Sequence, residues 1–263
     1  MTTDRYPKLS VVELPGGARV VGIAKGAGMI EPNMATMLCY IMTDADPDCD
    51  KDELQSILTS AVSTSFNMIS VDGDESTSDT AALLCSKKVP CSDMAAFKAA
   101  VTTVCSELAS HMARNGEGTG HVIRVAVTGA TDDATARRIG RAVVNGPLFK
   151  CAVAGNDPNV GRLVGKVGQA LGPAGASMVK GTVCKIGGQT IFKDGLFSMD
   201  SDKETALSDH MKAAQQPDAS DFPPHNRVVD VEVMLGGGGT GSATVLGSDL
   251  TKEYVEINAD YRS

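Results

Sequence analysis

The run Met37-Leu-Cys-Tyr-Ile-Met-Thr43 constrains the fold most. It is short, apolar and bounded by turn residues, so it reads as a buried strand. Such a strand needs neighbours for its backbone groups and a packed layer against its side chains. A candidate layer follows at once. Asp50-x-x-Glu53 is a capping-box pattern in front of the helical stripe Leu54, Ile57, Leu58, Ala61 and Val62. A second helix is predicted from about Ser92, with Phe97, Val101, Val104, Leu108 and Met112 on one face and a stop at Asn115-Gly116.

The rest of the chain continues in the same mixed manner. His121 to Thr128 alternates as a strand, and Thr131 to Val144 reads as a helix with a threonine N-cap and acids in its first turn. Thr182 to Ile186 and Gln189 to Lys193 flank Gly187-Gly188, which suits a hairpin with a primed turn. Lys203 to Gln215 is predicted helical, Gln216 to Asn226 a proline-bearing loop, and Arg227 to Leu235 a strand with Val229, Val231 and Val233 on one face. Strands and helices mix without a regular βαβ rhythm, so the class is α+β, with helices layered on sheets.

Composition narrows the function. No apolar stretch approaches the ~20 residues needed to span a bilayer. Met1-Thr-Thr-Asp-Arg-Tyr-Pro7 lacks the pattern of a secretory signal or a transit peptide, so no membrane partner and a cytoplasmic location are expected. A formal charge of -8 argues against nucleic acid. The 7 cysteines have no C-x-x-C spacing and the 4 histidines no H-x-x-x-H pair. Reduced cysteines, no metal site and no cofactor are therefore expected.

Several polar stretches stand out. Gly236-Gly-Gly-Gly-Thr-Gly241 lacks the Gly-Lys-Ser/Thr ending of a phosphate loop and precedes another predicted strand, so it reads as an inter-strand turn. Ser70 to Asp79 is acidic but lacks a calcium-loop ladder; it reads as a polar turn before a strand at Ala81 to Cys85, or as the wall of a site. Asn115-Gly-Glu-Gly-Thr-Gly120 sets Glu117 between glycines, in an ordinary exposed turn or one that brings an acid into a pocket. In Gly155-Asn-Asp-Pro-Asn-Val-Gly-Arg162, Asp157 or Asn159 is expected to cap a helix through Leu163 and Val167, either as a plain helix start or as a polar cluster at the rim of a site.

Thr36 stands at the mouth of the first strand, behind a loop carrying Gly26, Gly28 and Pro32 and directly after the small Ala35. An internal threonine hydroxyl has no base of its own. Cutting the Ala35–Thr36 bond would give it a free α-amine, with a reference pKa near ~8, able to act as that base. The hydroxyl can make the cut itself by an N-to-O acyl shift in a tightly held loop. The bland alternative is an ordinary threonine at a strand start.

Lys25-Gly-Ala-Gly-Met-Ile-Glu-Pro-Asn-Met-Ala-Thr-Met-Leu38 resembles the self-cleaving segment of the ornithine acetyltransferase family, the bifunctional ArgJ proteins of arginine biosynthesis. Met1 to Asp4, Val71-Asp-Gly-Asp74, Gly116-Glu-Gly118, Gly155 to Asn159 and Tyr254 to Ser263 resemble the same family in the same order. The resemblance implies residues 1–35 as the end of an α chain and 36–263 as a β chain. Thr36 would be the N-terminal nucleophile, taking acetyl from N-acetylornithine to release ornithine, then passing it to glutamate to form N-acetylglutamate. Some members also use acetyl-CoA. Thr2 or Thr3, Lys25, Thr36, Glu117, Asn258 and Ser263 fall on the family's substrate-binding positions. The implied fold is an αββα-type sandwich with a second, smaller lobe, assembled from two α and two β chains.

Three departures accompany the resemblance. The chain starts near the end of the family's α chain, upstream of which the family's Thr-Gly oxyanion pair lies. Val160 stands where the family usually has Trp, and Gly-Glu-Gly-Thr-Gly-His121 replaces Gly-Glu-Gly-Ala-Thr-Lys. Two rivals remain: an N-terminal-nucleophile amidohydrolase or aminopeptidase using the same threonine with water as acceptor, and an inert fragment or assembly partner.

Overall fold

The computed structural model describes residues 3–31, 37–75, 78–172, 180–217 and 227–260. The chain divides into two compact units, Met1–Gly116 and Glu117–Ser263. Both are α+β, the class expected from the sequence.

The first unit runs β1 (Lys8–Glu13), β2 (Arg19–Lys25), β3 (Leu38–Pro47), α1 (Lys51–Thr64), a 3-10 turn (Phe66–Met68), β4 (Ile69–Ser70), β5 (Thr80–Cys91) and α2 (Met94–Arg114). Its four-stranded sheet has the order β1-β2-β3-β5. The first two pairings are antiparallel; β3 and β5 run parallel. Asp50 caps α1 through the Glu53 amide at 2.8 Å, as the sequence pattern anticipates. The second helix starts slightly later than predicted because Asp93 is its cap, accepting from the Ala96 amide at 2.9 Å.

The strand predicted at Met37 to Thr43 is present but buried on one face only. Val20, Cys39 and Ile41 are buried on the side against which α2 packs. The alternate residues form two cross-strand apolar rows: Leu9, Ile23, Tyr40 and Ala82, then Val11, Val21, Met42 and Leu84. Leu9, Val11, Ile23, Tyr40, Met42 and Leu84 are exposed. Six large apolar side chains on one face exceed the scattered exposure usual at protein surfaces.

The second unit runs β6 (Val122–Ala130), α3 (Asp133–Val144), α4 (Pro147–Ala154), α5 (Val160–Leu171), β7 (Val183–Ile186), β8 (Gln189–Lys193), β9 (Leu196–Phe197), α6 (Ser201–Ala214), β10 (Val229–Met234), β11 (Gly241–Ser248) and α7 (Lys252–Asp260). Its sheet has β11, β6, β10, β7, β8 and β9 side by side, β6 and β10 parallel and the other pairs antiparallel. Helix α3 packs on β6 and β11, and α6 on β10. Asp132, not Thr131, caps α3, accepting from the Thr135 amide at 2.7 Å. A carboxylate one residue on reaches the first-turn amides with a full charge, which outcompetes the threonine hydroxyl. Asn159 caps α5, and the glycine run after β10 is an inter-strand turn leading to β11.

Among the described residues no helix is long and apolar enough to cross a membrane. No group of three or more His, Cys, Asp and Glu side chains there could hold a metal ion. All seven cysteines are free. Burial pushes the Cys39, Cys105 and Cys184 thiols up to about 12, so these three are inert core residues.

Candidate active site

Thr36 and Ala35 lie outside the described residues, as do Thr2 and Ser263. Lys25, Glu117 and Asn258 are described. Lys25 ends β2 and pairs in register with Leu38, the first residue of β3. The antiparallel ladder of β2 and β3 therefore brings Lys25 and Leu38, which flank the segment containing Thr36, side by side.

Both arms of that loop are held by side chains from elsewhere in the first unit. On the incoming arm, Gly26 has φ +147, a backbone conformation that favours glycine. The Gly26 amide donates to Asp4 at 2.9 Å. Asp4 also accepts from the Asn115 amide nitrogen at 2.5 Å and pairs with Lys8, whose side chain is wholly buried. Desolvation pulls the Lys8 ammonium below the usual lysine range, against the opposing pull of Asp4. Next, Met29 adopts a left-handed φ of +53. The amides of Met29 and Ile30 both donate to Asp72, at 2.7 and 2.9 Å. The Ile30 carbonyl accepts from Val71 at 2.7 Å, and Ser70 donates to Glu31 at 2.9 Å. On the outgoing arm, the Met37 amide donates to Asp79 at 2.5 Å, and the Met37 carbonyl accepts from Thr80 at 3.1 Å.

In the second unit, Glu117 and Asn258 meet. The Asn258 side-chain amide donates to Glu117 at 2.8 Å and to the Tyr254 carbonyl at 3.0 Å. Helix α7, which ends at Asp260, is docked on the turn that carries Glu117. Gly118 has φ +62, and an added Cβ would lie 2.4 Å from the Tyr254 nitrogen. Thr251 donates to the Gly118 carbonyl at 2.6 Å. Below the turn, Asp249 accepts from the Gly120 amide at 2.9 Å and contacts His121 Nδ1 at 2.7 Å. His121 Nε2 lies 3.1 Å from Asn156 Oδ1. The departure at His121 is therefore built into a buried polar network. Val160 opens α5.

Sequence reasoning missed Asp4, Asp72, Asp79, Asn115, Asp249 and Thr251. Asp4 and Asp72 do sit inside stretches that carry the family resemblance, and that is the signal through which they were accessible. Two clefts, of about 480 and 530 Å³, lie elsewhere: one on the apolar sheet face beside Arg19, Met42 and Leu84, the other between α4 and α5 beside Phe149, Arg162 and Lys166. Neither is lined by Lys25, Glu117 or Asn258.

The chain is 39% identical over 280 residues to the arginine biosynthesis bifunctional protein ArgJ of Agrobacterium fabrum, covering 100% of this chain and 62% of that protein. It is 40% identical over 270 residues to the ArgJ protein of Nitratidesulfovibrio vulgaris, covering 100% of this chain and 64% of that one. The chain therefore spans somewhat under two thirds of these relatives. The crystal structure of the ArgJ protein of Bacillus halodurans is similar with a TM-score of 0.70 and 29% identity, over 84% of this chain and 98% of that chain. A model of the ArgJ family matches residues 1–263, and the chain belongs to that family.

Proposed function

We propose that this chain supplies the nucleophile and much of the substrate site of an acetyltransferase of arginine biosynthesis. The observation that carries the reading is the family match over residues 1–263, which includes the loop from Lys25 to Leu38. In this reading Thr36 Oγ attacks the Ala35 carbonyl and an N-to-O shift gives an ester and a free α-amine. Water then hydrolyses the ester, leaving residues 1–35 as the end of an α chain and 36–263 as a β chain.

Transfer follows from the same groups. Thr36 Oγ attacks the acetyl carbonyl of N-acetylornithine, its proton passes to the α-amine, and that amine protonates the departing ornithine. Glutamate then attacks the acetyl ester and leaves as N-acetylglutamate; acetyl-CoA is an alternative donor, releasing its thiol. Glu117, braced by Asn258, supplies an anion for the ornithine ammonium, and Lys25 a cation for a substrate carboxylate. Thr2 and Ser263 complete the binding set. The working protein is a cytoplasmic assembly of two α and two β chains.

The apolar face of the first sheet favours a second element in this reading, namely that catalysis needs a further protein segment covering that face. The relatives' greater length supplies a candidate, and oxyanion donors on it would each contribute about 10²–10³ in rate. The test is incubation with N-acetylornithine, with and without glutamate, in the presence and absence of the segment by which the relatives are longer. Glutamate-dependent ornithine release supports transfer. Ornithine and acetate released without glutamate indicate a hydrolase, and no release in any arm an inert chain.

A further inference from the structure

We propose that Asp72 and Asp79 are positioning residues for cleavage at Ala35–Thr36, acting as a two-point clamp on the backbone either side of residues 32–36. The inference rests on the self-cleavage reading above and goes beyond it, since both act without being nucleophile, base or substrate ligand. Three observations carry it. First, the contacts are to main-chain amides: Met29 and Ile30 on one arm, Met37 on the other. Second, Asp72 engages both carboxylate oxygens, Oδ2 with Met29 and Oδ1 with Ile30. Two successive amides converge on one anion because Met29 is left-handed, a conformation that is strained for a non-glycine residue and persists only where surroundings hold it. Third, Asp79 extends the ladder of β3 and β5 by one step. Thr80 donates to the Met37 carbonyl, and the Asp79 side chain takes the Met37 amide, the first amide after the nucleophile.

The chemistry needs such a clamp. An N-to-O shift begins with the hydroxyl of Thr36 reaching the carbonyl carbon one residue behind it. A loop free at either end would dilute that geometry among many others, and an error of 1 Å at a reacting pair costs on the order of 10²-fold. Charged acceptors hold amides more strongly than neutral ones, which suits a site that must resist relaxation. Asp72 and Asp79 both lie on the single segment after β4, so one segment grips both arms.

The test is a time course of cleavage after cell-free synthesis of the chain, following fragments 1–35 and 36–263 by mass, with Thr36→Ala as the uncut reference. If the activity assay requires the longer relatives' segment, it is included throughout. Asp79→Ala and Asp72→Ala are expected to slow cleavage on the order of 10²-fold. Asp79→Asn, which keeps an acceptor for Met37, is expected to cut faster than Asp79→Ala. Asp72→Asn has one acceptor oxygen for two amides and should remain slower than the parent. Hydrogen exchange at Met37, in variants whose thermal unfolding matches the parent, separates clamp loss from misfolding: protection falls in Asp79→Ala and returns in Asp79→Asn. A parent that cuts while both alanine variants cut at its rate overturns the clamp alone. So does an Asp79→Asn variant as slow as Asp79→Ala. An uncut parent overturns the self-cleavage reading and the clamp with it.

Discussion

The loop from Gly26 to Met37 and the turn from Glu117 to Gly120 both carry residues of the candidate site, yet they are held in opposite ways. In the first, carboxylates grip the main chain: Asp4 takes the Gly26 amide, Asp72 those of Met29 and Ile30, and Asp79 that of Met37. In the second, the side chain itself is gripped, Glu117 by Asn258, while Gly118 lets the tail helix pack directly on the backbone. The difference fits the role proposed for each. A reaction on a peptide bond needs the backbone on either side of that bond fixed. Recognition of a charged substrate needs one side chain aimed, and the backbone beneath it only has to be rigid.

Breaking the comparison at the first region should give the largest effect. Thr36→Ala is expected to abolish both cleavage and acetyl transfer, and Thr36→Ser to retain both, because a hydroxyl beside a future amine is what the chemistry requires. Mass analysis and the ornithine-release assay check it. Normal transfer by Thr36→Ala would move the nucleophile elsewhere.

At the second region, Glu117→Gln is expected to weaken N-acetylornithine and ornithine by about 2 kcal/mol or more, roughly thirtyfold in KM, while fragments still form at the parent's rate. Steady-state kinetics on cleaved protein decide it. A parent-like KM would leave Glu117 as a structural partner of Asn258 alone.

Gly118→Ala sharpens the same contrast with a smaller effect. The left-handed φ costs about 1–2 kcal/mol, and the new methyl must push back the first turn of α7. A fall in Tm of about 4–8 °C is expected, with cleavage unchanged. Unchanged thermal unfolding would mean the tail helix yields freely.

The smallest effect concerns pH. Burial holds His210 below the usual histidine range against the pull of Asp230, and its Nε2 accepts from the Asp230 amide at 3.1 Å, which requires the neutral ring. Between the unfolded value near ~6.5 and the lower folded one, the unfolded chain binds the extra proton, so stability falls as pH drops through that window and rises again with pH. His210→Gln should flatten this acid slope in Tm measured from about pH 7 to about pH 5. A slope identical to the parent's would assign it to other groups.

Much of this was legible in the sequence. Helix starts at Asp50 and Asn159, the Gly187-Gly188 hairpin and the strands at Met37 and Arg227 follow from capping, turn chemistry and alternation, all of which act over a few residues. The family-like segment around Ala35–Thr36 marked Thr36 as the proposed nucleophile, and Glu117 and Asn258, which the structure brings together, came from the same resemblance. Local signals also misled. Thr131 looked like a cap where Asp132 is the cap, α4 at Pro147–Ala154 was not anticipated, and the strand after Asp79 runs to Cys91 rather than Cys85.

What no local pattern carries is which distant groups meet. Asp72 lies 42 residues from Ile30, Asp79 42 from Met37, and Asn258 141 from Glu117. A polar turn from Ser70 to Asp79 has the same composition whether its carboxylates face water or hold another loop, because composition fixes the cost of burial and not the partner. Likewise an alternating strand shows which residues share a face but not whether anything covers the second face; the exposed rows through Tyr40 and Met42 became visible only once four strands were aligned. Short-range backbone preferences determined the elements, and the family resemblance marked the threonine proposed as nucleophile. Closure of the chain over long separations, driven by burial and satisfied amides, decided how that threonine's loop is held.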